Sequence, residues 1–182
     1  MLKKREISDV HVLFDLLQHP AVYPYVREKA NVFDQYLAIT QQTILNEQNG
    51  NLISRTICDE TQQPIGIISL VDLEANTGFL ATWIGQPYFG KGYNYRAKLD
   101  FLYELFTTTA YDIVFLKIRK NNARSLKANG KLDYVHAGHL LYPNVYEKIN
   151  RDIPVEHQFQ LFFVTKADYL NYYDKQQSLS IV

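Results

Sequence analysis

Apolar and polar positions along the first fifty residues change period twice. Residues 2–7 have the texture of a short strand. Val12, Leu13, Leu16 and Leu17 then recur at helical steps. They predict a helix that Ser8 and Asp9 can cap and that ends near His19, ahead of Pro20 and Pro24. A second helix is expected from about Phe33 to Asn46, with Tyr36, Leu37, Thr40 and Ile44 along one side, and Asn49-Gly50-Asn51 stops it. Strands follow at Leu52–Cys58, Ile65–Leu73 and Phe79–Gly85, joined by turns at 59–64 and 74–78. Three strands with short connections predict an antiparallel meander.

Beyond Phe79 the pattern carries a candidate for chemistry. Trp83-Ile84-Gly85-Gln86-Pro87-Tyr88-Phe89-Gly90-Lys91-Gly92-Tyr93-Asn94 runs from a strand through a loop with Gly90 and Gly92 into a helical run to about Phe106. Tyr95, Leu99, Leu102, Tyr103 and Phe106 mark that helix's expected apolar face. Strand, glycine loop and helix form an arrangement suited to phosphate. Glycines let backbone N–H groups turn toward an anion, and a helix N-terminus contributes about half a positive charge. Gly-Lys-Gly is equally the mark of a plain turn, so this segment alone leaves both readings open. Two familiar nucleotide motifs do not fit. Tyr95 stands where a dinucleotide fingerprint needs its third glycine, and no Gly-Lys-Ser/Thr P-loop is present.

The rest of the chain completes a mixed sheet. Asp112–Arg119 is an apolar strand that the long crossover helix can set parallel to the strand before it. A helix from Asn121 to about Leu132, strands at Tyr134–Tyr142 and Phe159–Thr165, a long polar loop over 143–158 and a tail from Lys166 follow. No repeat, linker or low-complexity stretch divides residues 1–182, which are therefore expected to form a single domain.

Composition removes several function classes. Lys plus Arg and Asp plus Glu number 19 each, so there is no general attraction to nucleic acid or to an anionic membrane. No apolar run approaches the ~18 residues of a membrane span, and the start Met1-Leu2-Lys3-Lys4-Arg5-Glu6 has no apolar signal core. The lone Cys58 sits in an apolar run, excludes an intrachain disulfide and is expected as a small core residue of a cytoplasmic protein.

At this point the order of elements resembles that of the GCN5-related N-acetyltransferases, and the details resemble their RimJ and RimL branch, which acetylates ribosomal-protein N-termini. Thr82-Trp83-Ile84-Gly85 with Phe89-Gly90-Lys91-Gly92-Tyr93 is similar to that branch's aromatic-Ile-Gly and aromatic-Gly-Lys-Gly-Tyr signature. Asn122-Ala123-Arg124-Ser125 with Lys131-Leu132-Asp133-Tyr134 is similar to its Asn-x-x-Ser helix ending in Lys-Leu-Gly-Phe. The opening, from Asp9 to Pro20-Ala21-Val22, resembles its first helix and Pro-x-Val turn. The resemblance implies an α/β, single-domain GNAT-like fold, a mixed and mostly antiparallel sheet with helices on both faces.

It also implies acetyl-CoA as co-substrate, no metal, and a primary amine as acceptor, either a protein N-terminal α-amine or a small molecule. By the same likeness, pantetheine lies along Thr82, Trp83 and Ile84. The pyrophosphate sits on Phe89, Gly90, Lys91, Gly92, Tyr93 and Asn94, and Asn122 contacts the cofactor. Ser125 matches the serine that serves the leaving sulfur; its plain alternative is a first-turn serine bonded to its own backbone. Lys91 reads equally as a solvated loop lysine, and Asn122 as a helix cap.

Several positions depart from the pattern. Pro87 stands at the first place of the Gln/Arg-x-x-Gly-x-Gly/Ala motif, with Gln86 one residue early. Asn129 replaces a tyrosine that distant relatives use in catalysis, and Gly130 is expected inside the helix at a cost of about 1 kcal/mol relative to alanine. Asp133 stands where a left-handed residue is expected. Asn144 occupies the place of a glutamate base, leaving Glu147, Glu156, His136, His139 and His157 as alternatives. Acceptor-pocket walls are expected from the first two helices and from 143–158, and a homo-oligomer is compatible with all of this. The alternative reading is a CoA-binding module with little transfer activity, acting as a sensor or interaction protein.

Overall fold

The structure, a computed structural model, describes residues 1–179. Its strands are β1 (Leu2–Lys4), β2 (Ile53–Cys58), β3 (Pro64–Glu74), β4 (Thr77–Ile84), β5 (Ile113–Arg119), β6 (His136–Ala137) and β7 (Phe159–Thr165). Its α-helices are α1 (Val10–Leu17), α2 (Phe33–Gln48), α3 (Tyr93–Thr108), α4 (Ala123–Asn129), α5 (Pro143–Asn150) and α6 (Lys166–Leu179). The strands lie in one mixed sheet in the order β1-β2-β3-β4-β5-β7-β6. The β4/β5 pair is parallel, whereas β1/β2, β2/β3, β5/β7 and β6/β7 are antiparallel, in line with the expected fold class. Packing groups the chain into two compact units, Met1–Leu73 with Ala81–Thr107, and Glu74–Leu80 with the chain from Thr108 onward.

In the first unit, β2 pairs with β3 from Ile53↔Leu70 to Cys58↔Pro64, with an irregularity at Ile57/Cys58. Gly66 on β3 permits the close approach of β4. A Cβ there would stand 2.3 Å from the Trp83 carbonyl oxygen and 2.9 Å from Ile84 Cα, distances that real Cβ atoms do not reach. The core joins Val10, Leu13 and Leu17 of α1 to Val22, Val26, Ala30, Tyr36 and Ile67, with Trp83 and Phe89 packed against it. Arg55 on β2 ties two helices to the strand. Its guanidinium donates to Glu47 on α2 at 2.5 Å and to Glu104 on α3 at 2.5 Å. Cys58 is buried as expected, and burial pushes its thiol pKa up.

Two expectations fail in this unit. Asp9 stands at the N-cap of α1 but its side chain makes no cap hydrogen bond, and Ser8 donates to Glu6. The Asp9 carboxylate is buried, accepting from the Lys3 ammonium at 2.8 Å and the Thr56 hydroxyl at 3.1 Å, so a strand claims the oxygen that the helix start was expected to use. On α3 the buried stripe is Ala97, Lys98, Phe101, Leu102, Leu105 and Phe106, while Tyr95 and Tyr103 are exposed. A lysine on the inner face and tyrosines, which tolerate water, on the outer one moved the apparent stripe.

In the second unit, β4 and β5 run parallel from Thr77↔Ile113 to Phe79↔Phe115, as the crossover predicts. β5 and β7 pair along their full length, from Ile113↔Thr165 to Arg119↔Phe159. The expected strand Tyr134–Tyr142 is reduced to His136–Ala137. Gly138 then passes close to Leu161, whose Cγ would lie 3.0 Å from an added Cβ. The expected loop over 143–158 instead contains α5 and a 3₁₀ turn at Val155–His157. Pro143 opens α5, where its missing N–H costs nothing, and Val145, Tyr146 and Ile149 pack on Phe115, Leu161 and Phe163. Asn150 ends α5 and clasps β7, its Nδ2 donating to the Phe159 carbonyl at 3.1 Å and its Oδ1 accepting the Phe159 N–H at 2.7 Å. Neither Gly130 nor Asp133 meets its expectation. Gly130 is the C-cap of α4, outside the helix interior, and Asp133 has no positive φ.

Candidate active site

The cofactor half of the candidate site belongs to the first unit. The parallel ladder stops at Phe79↔Phe115, yet β4 continues through Thr82 and Trp83 to Ile84. Along the later residues its strand-type donors and acceptors on that side have no ladder partner among the described residues, which suits an extended amide-bearing ligand. Thr82 adds a second sign. Its Oγ1 is buried and bonds no protein group among the described residues, a costly state unless something else supplies the partner. Trp83 packs on the α1–α2 core, Ile84 is buried, and the Gly85 N–H donates to the Ile65 carbonyl at 2.8 Å.

After Gly85 the chain makes a 3₁₀ turn over Gln86–Tyr88, with Pro87 in its first positions. Phe89 anchors the loop on the α1–α2 core. Gly90 (φ +75°) and Gly92 (φ +83°) both take the left-handed region, and a Cβ at either would meet nothing within 4 Å. These glycines answer a conformational need and leave open space beside the backbone. The loop delivers the chain to α3, whose first-turn N–H groups have no acceptor earlier in the helix. Asn94 is half-buried in that turn, and the Arg96 N–H closes the first bond to the Gly92 carbonyl at 3.1 Å.

Residues outside the motif fix this helix start. The Tyr93 hydroxyl donates to Glu60, on the turn between β2 and β3, and Arg96 donates to the same carboxylate at 3.0 Å. The Tyr93 hydrogen bond, a backbone N–H and Arg96 together pull the Glu60 pKa down to about 2. Tyr88 meets Tyr93 edge-on at 5.8 Å, and the exposed Lys91 ammonium lies 5.6 Å over the Tyr88 ring. Sequence reasoning missed Glu60 and Arg96, because nothing in Asp59-Glu60-Thr61 foretells a partner 33 residues away. The open backbone edge, the unsatisfied Thr82 oxygen and the glycine loop before a 16-residue helix together fit acetyl-CoA.

The second unit holds the other expected residues. Asn122 is the N-cap of α4, buried, with its Oδ1 accepting the Ser125 N–H at 3.2 Å. Ser125 is half-buried, and its hydroxyl makes no hydrogen bond among the described residues. The plain alternative, a hydroxyl tied to its own helix, is therefore not what the structure holds, and Ser125 Oγ is free to donate. Asn129, one turn on along the same face, is buried, and its Oδ1 has no hydrogen-bond partner among the described residues.

The alternative bases are scattered. Asn144, Glu147, Glu156, His139 and His157 are exposed, and exposed His136 lies 3.3 Å from Asp168. Among the described residues no cluster of three or more His, Cys, Asp or Glu can hold a metal, and no helix is long and apolar enough to cross a membrane.

Comparison with known proteins identifies the fold and the family. No curated protein matches the sequence. Among solved structures, the chain is similar to a putative ribosomal-protein-serine acetyltransferase from Vibrio cholerae, at 16% identity over 90% of this chain and 92% of that one, with TM-score 0.72. It is also similar to a spermidine N-acetyltransferase SpeG chimera from Vibrio cholerae and hSSAT, at 14% identity, 94% and 98% coverage and TM-score 0.70. The microcin C7 self-immunity acetyltransferase MccE, solved with acetyl-CoA and AMP, matches at 14% identity, 90% and 91% coverage and TM-score 0.68. These likenesses carry the fold. The acetyltransferase (GNAT) domain family matches residues 1–135, which include the open β4 edge, the glycine loop and α4. The chain therefore belongs to the GNAT family, whose members use acetyl-CoA, and is an N-acetyltransferase.

Proposed function

We propose that this chain moves the acetyl group of acetyl-CoA to a primary amine by direct attack on the thioester, as a cytoplasmic enzyme of RimJ/RimL type. The observation that carries the reading is β4, whose backbone runs on past its ladder beside the orphaned Thr82 oxygen. In this reading Thr82, Trp83 and Ile84 take the pantetheine amides. Phe89, Gly90, Lys91, Gly92, Tyr93 and Asn94 take the pyrophosphate, and Asn122 adds a further contact.

Acyl transfer needs a neutral amine, an oxyanion stabiliser and a proton for the departing thiolate. The amine nitrogen forms a bond to the carbonyl carbon and the C–S bond breaks, Ser125 Oγ–H holds the departing sulfur by a hydrogen bond, and the proton shed by the acylated nitrogen passes through solvent to the thiolate. With its pKa far above neutrality, the hydroxyl acts as a hydrogen-bond donor rather than as an acid. No buried carboxylate stands ready as base where one was expected, since that place is the exposed Asn144. An α-amine, with pKa near 8 against about 10.4 for lysine, loses its proton to water with little help. That favours a protein N-terminus or another weakly basic amine. Segment 143–158, now seen to contain α5, supplies a wall of the acceptor side.

Calorimetry with acetyl-CoA, followed by a thiol-release assay on peptide N-termini, polyamines and aminosugars, tests the reading. Ser125→Ala is expected to lower kcat about tenfold or more, with KM for acetyl-CoA within twofold. Binding without turnover on any amine would identify a CoA-binding module instead.

A further inference from the structure

The inner stripe of α3 buries a lysine among apolar neighbours. Lys98 lies there with Ala97, Phe101 and Leu102 and is only 8% exposed. Among the described residues its ammonium has no hydrogen-bond or ion-pair partner, and burial alone lowers its pKa, to about 8. The charged groups that tie α3 to β2, Arg55 with Glu47 and Glu104, are paired with one another. A buried charge without a partner is costly unless something outside the chain supplies one. Helix geometry sets where this ammonium goes. A long side chain on an α-helix leans toward the N-terminus and covers the turn before its own, here that of Asn94, four residues earlier on the same face. The lysine stem is long enough to span roughly the 5.4 Å of one turn. Asn94 belongs to the first turn of α3, where the chain closes its first helical bond at the Arg96 N–H, and the Gly90/Gly92 loop leaves open space before it. The sheet beneath α3 adds a second unpartnered group. Trp83 and Ile67 pack on the α1–α2 core, and Ile67 stands opposite Thr56 in the β2/β3 ladder. Their chain neighbours Thr82 and Arg55 therefore face the other side of the sheet, where Arg55 holds α3 through Glu104. There the Thr82 Oγ1 is buried with no partner among the described residues.

We propose that Lys98 is the buried counter-charge of the cofactor, its ammonium standing behind the first turn of α3 and facing the pyrophosphate of acetyl-CoA beside the backbone N–H groups of that turn. This rests on the acetyl-CoA reading of the loop. The motif lysine, Lys91, is exposed, and solvent screens its charge. A buried ammonium is screened far less, so of these two lysines Lys98 carries the recognition of phosphate.

An anion bound beside Lys98 raises its pKa, so the protein takes up protons together with the cofactor. At pH 8.5 acetyl-CoA has no thiol to titrate and its phosphates are ionised, so the uptake reports on the protein. Calorimetry of the full chain with acetyl-CoA at that pH, in two buffers of different ionisation enthalpy, is expected to show about half a proton or more taken up per cofactor. Lys98→Met should abolish the uptake and weaken acetyl-CoA binding about tenfold or more at pH 7. S-acetylpantetheine, which has no pyrophosphate, should keep its affinity within twofold. Acetyl-CoA binding without proton uptake by the wild-type chain would overturn the proposal, even if Lys98→Met did not fold. So would uptake that survives in Lys98→Met, or an equal loss for acetyl-CoA and S-acetylpantetheine, which would make Lys98 a packing residue alone. Failure of the wild-type chain to bind acetyl-CoA at all would sink the cofactor reading, and this proposal with it.

Discussion

Lys98 offers the sharpest quantitative test of the packing. It sits on the inner face of α3 between Ala97 and Phe101, only 8% exposed, and burial is the sole cause that lowers its pKa, from 10.5 to about 8. Among the described residues no carboxylate compensates it. At 1.36 kcal/mol per pH unit, that drop equals about 3 kcal/mol of cost for holding the ammonium charged in the folded chain. In the unfolded chain the amine keeps its proton up to pH 10.5, whereas the folded chain gives it up near 8. Between these values the unfolded state binds more protons, so stability rises with pH, and below pH 8 the whole cost is present.

Lys98→Met keeps the length of the side chain and removes the charge. At pH 7 it is expected to stabilise the protein by up to about 3 kcal/mol, which for a chain of this size raises Tm by roughly 6–12 °C. Urea unfolding of both proteins at pH 7, 8.5 and 10 measures the difference, and titrating groups common to both cancel. The advantage should shrink to under about 1 kcal/mol by pH 10. A variant no more stable than wild type at pH 7, or an advantage unchanged at pH 10, would refute the reasoning.

Three further outcomes follow from described contacts. Gly66→Ala must push β3 from β4, since its Cβ would meet backbone atoms that cannot swing aside, and a loss of about 3 kcal/mol or more is expected in urea unfolding. Arg55→Gln leaves Glu47 and Glu104 facing each other without their shared cation, and should cost about 2–4 kcal/mol by the same measurement. Gly92→Val forces a β-branched residue to φ +83°, costing about 1–3 kcal/mol of local strain, and should weaken acetyl-CoA binding at least tenfold by calorimetry.

Much of the fold can be read directly from residue patterns, where local chemistry decides. β5 and β7 follow from apolar runs, and Gly90 and Gly92 mark the loop because only glycine takes those angles without cost. Failures occur where distant contacts override the local pattern. Asp9 looks like a cap until Thr56 and Lys3 claim its oxygens. The stripe on α3 is hidden by the burial of Lys98. α5 begins at a proline and is polar on one side, so it resembles a loop until Phe115, Leu161 and Phe163 are seen to need a cover. The proposed cofactor half of the candidate site can be traced in the sequence because a strand, a glycine loop and a helix start are each marked by local residue types. Arg119 and Phe159, separated by forty residues of chain, meet only through strand register.

The grip of Asn150 on Phe159 bears on how the protein behaves in concentrated solution. On the side away from β5, the only strand pairing of β7 among the described residues is with the two residues of β6, at Phe163 and Phe162, so the start of β7 would otherwise present an unpaired donor and acceptor beside an aromatic residue. Such a border is a template for another chain to add a strand. One side-chain amide satisfies both groups and closes the template without lengthening the sheet. Loss of that one asparagine would reopen both groups at the edge.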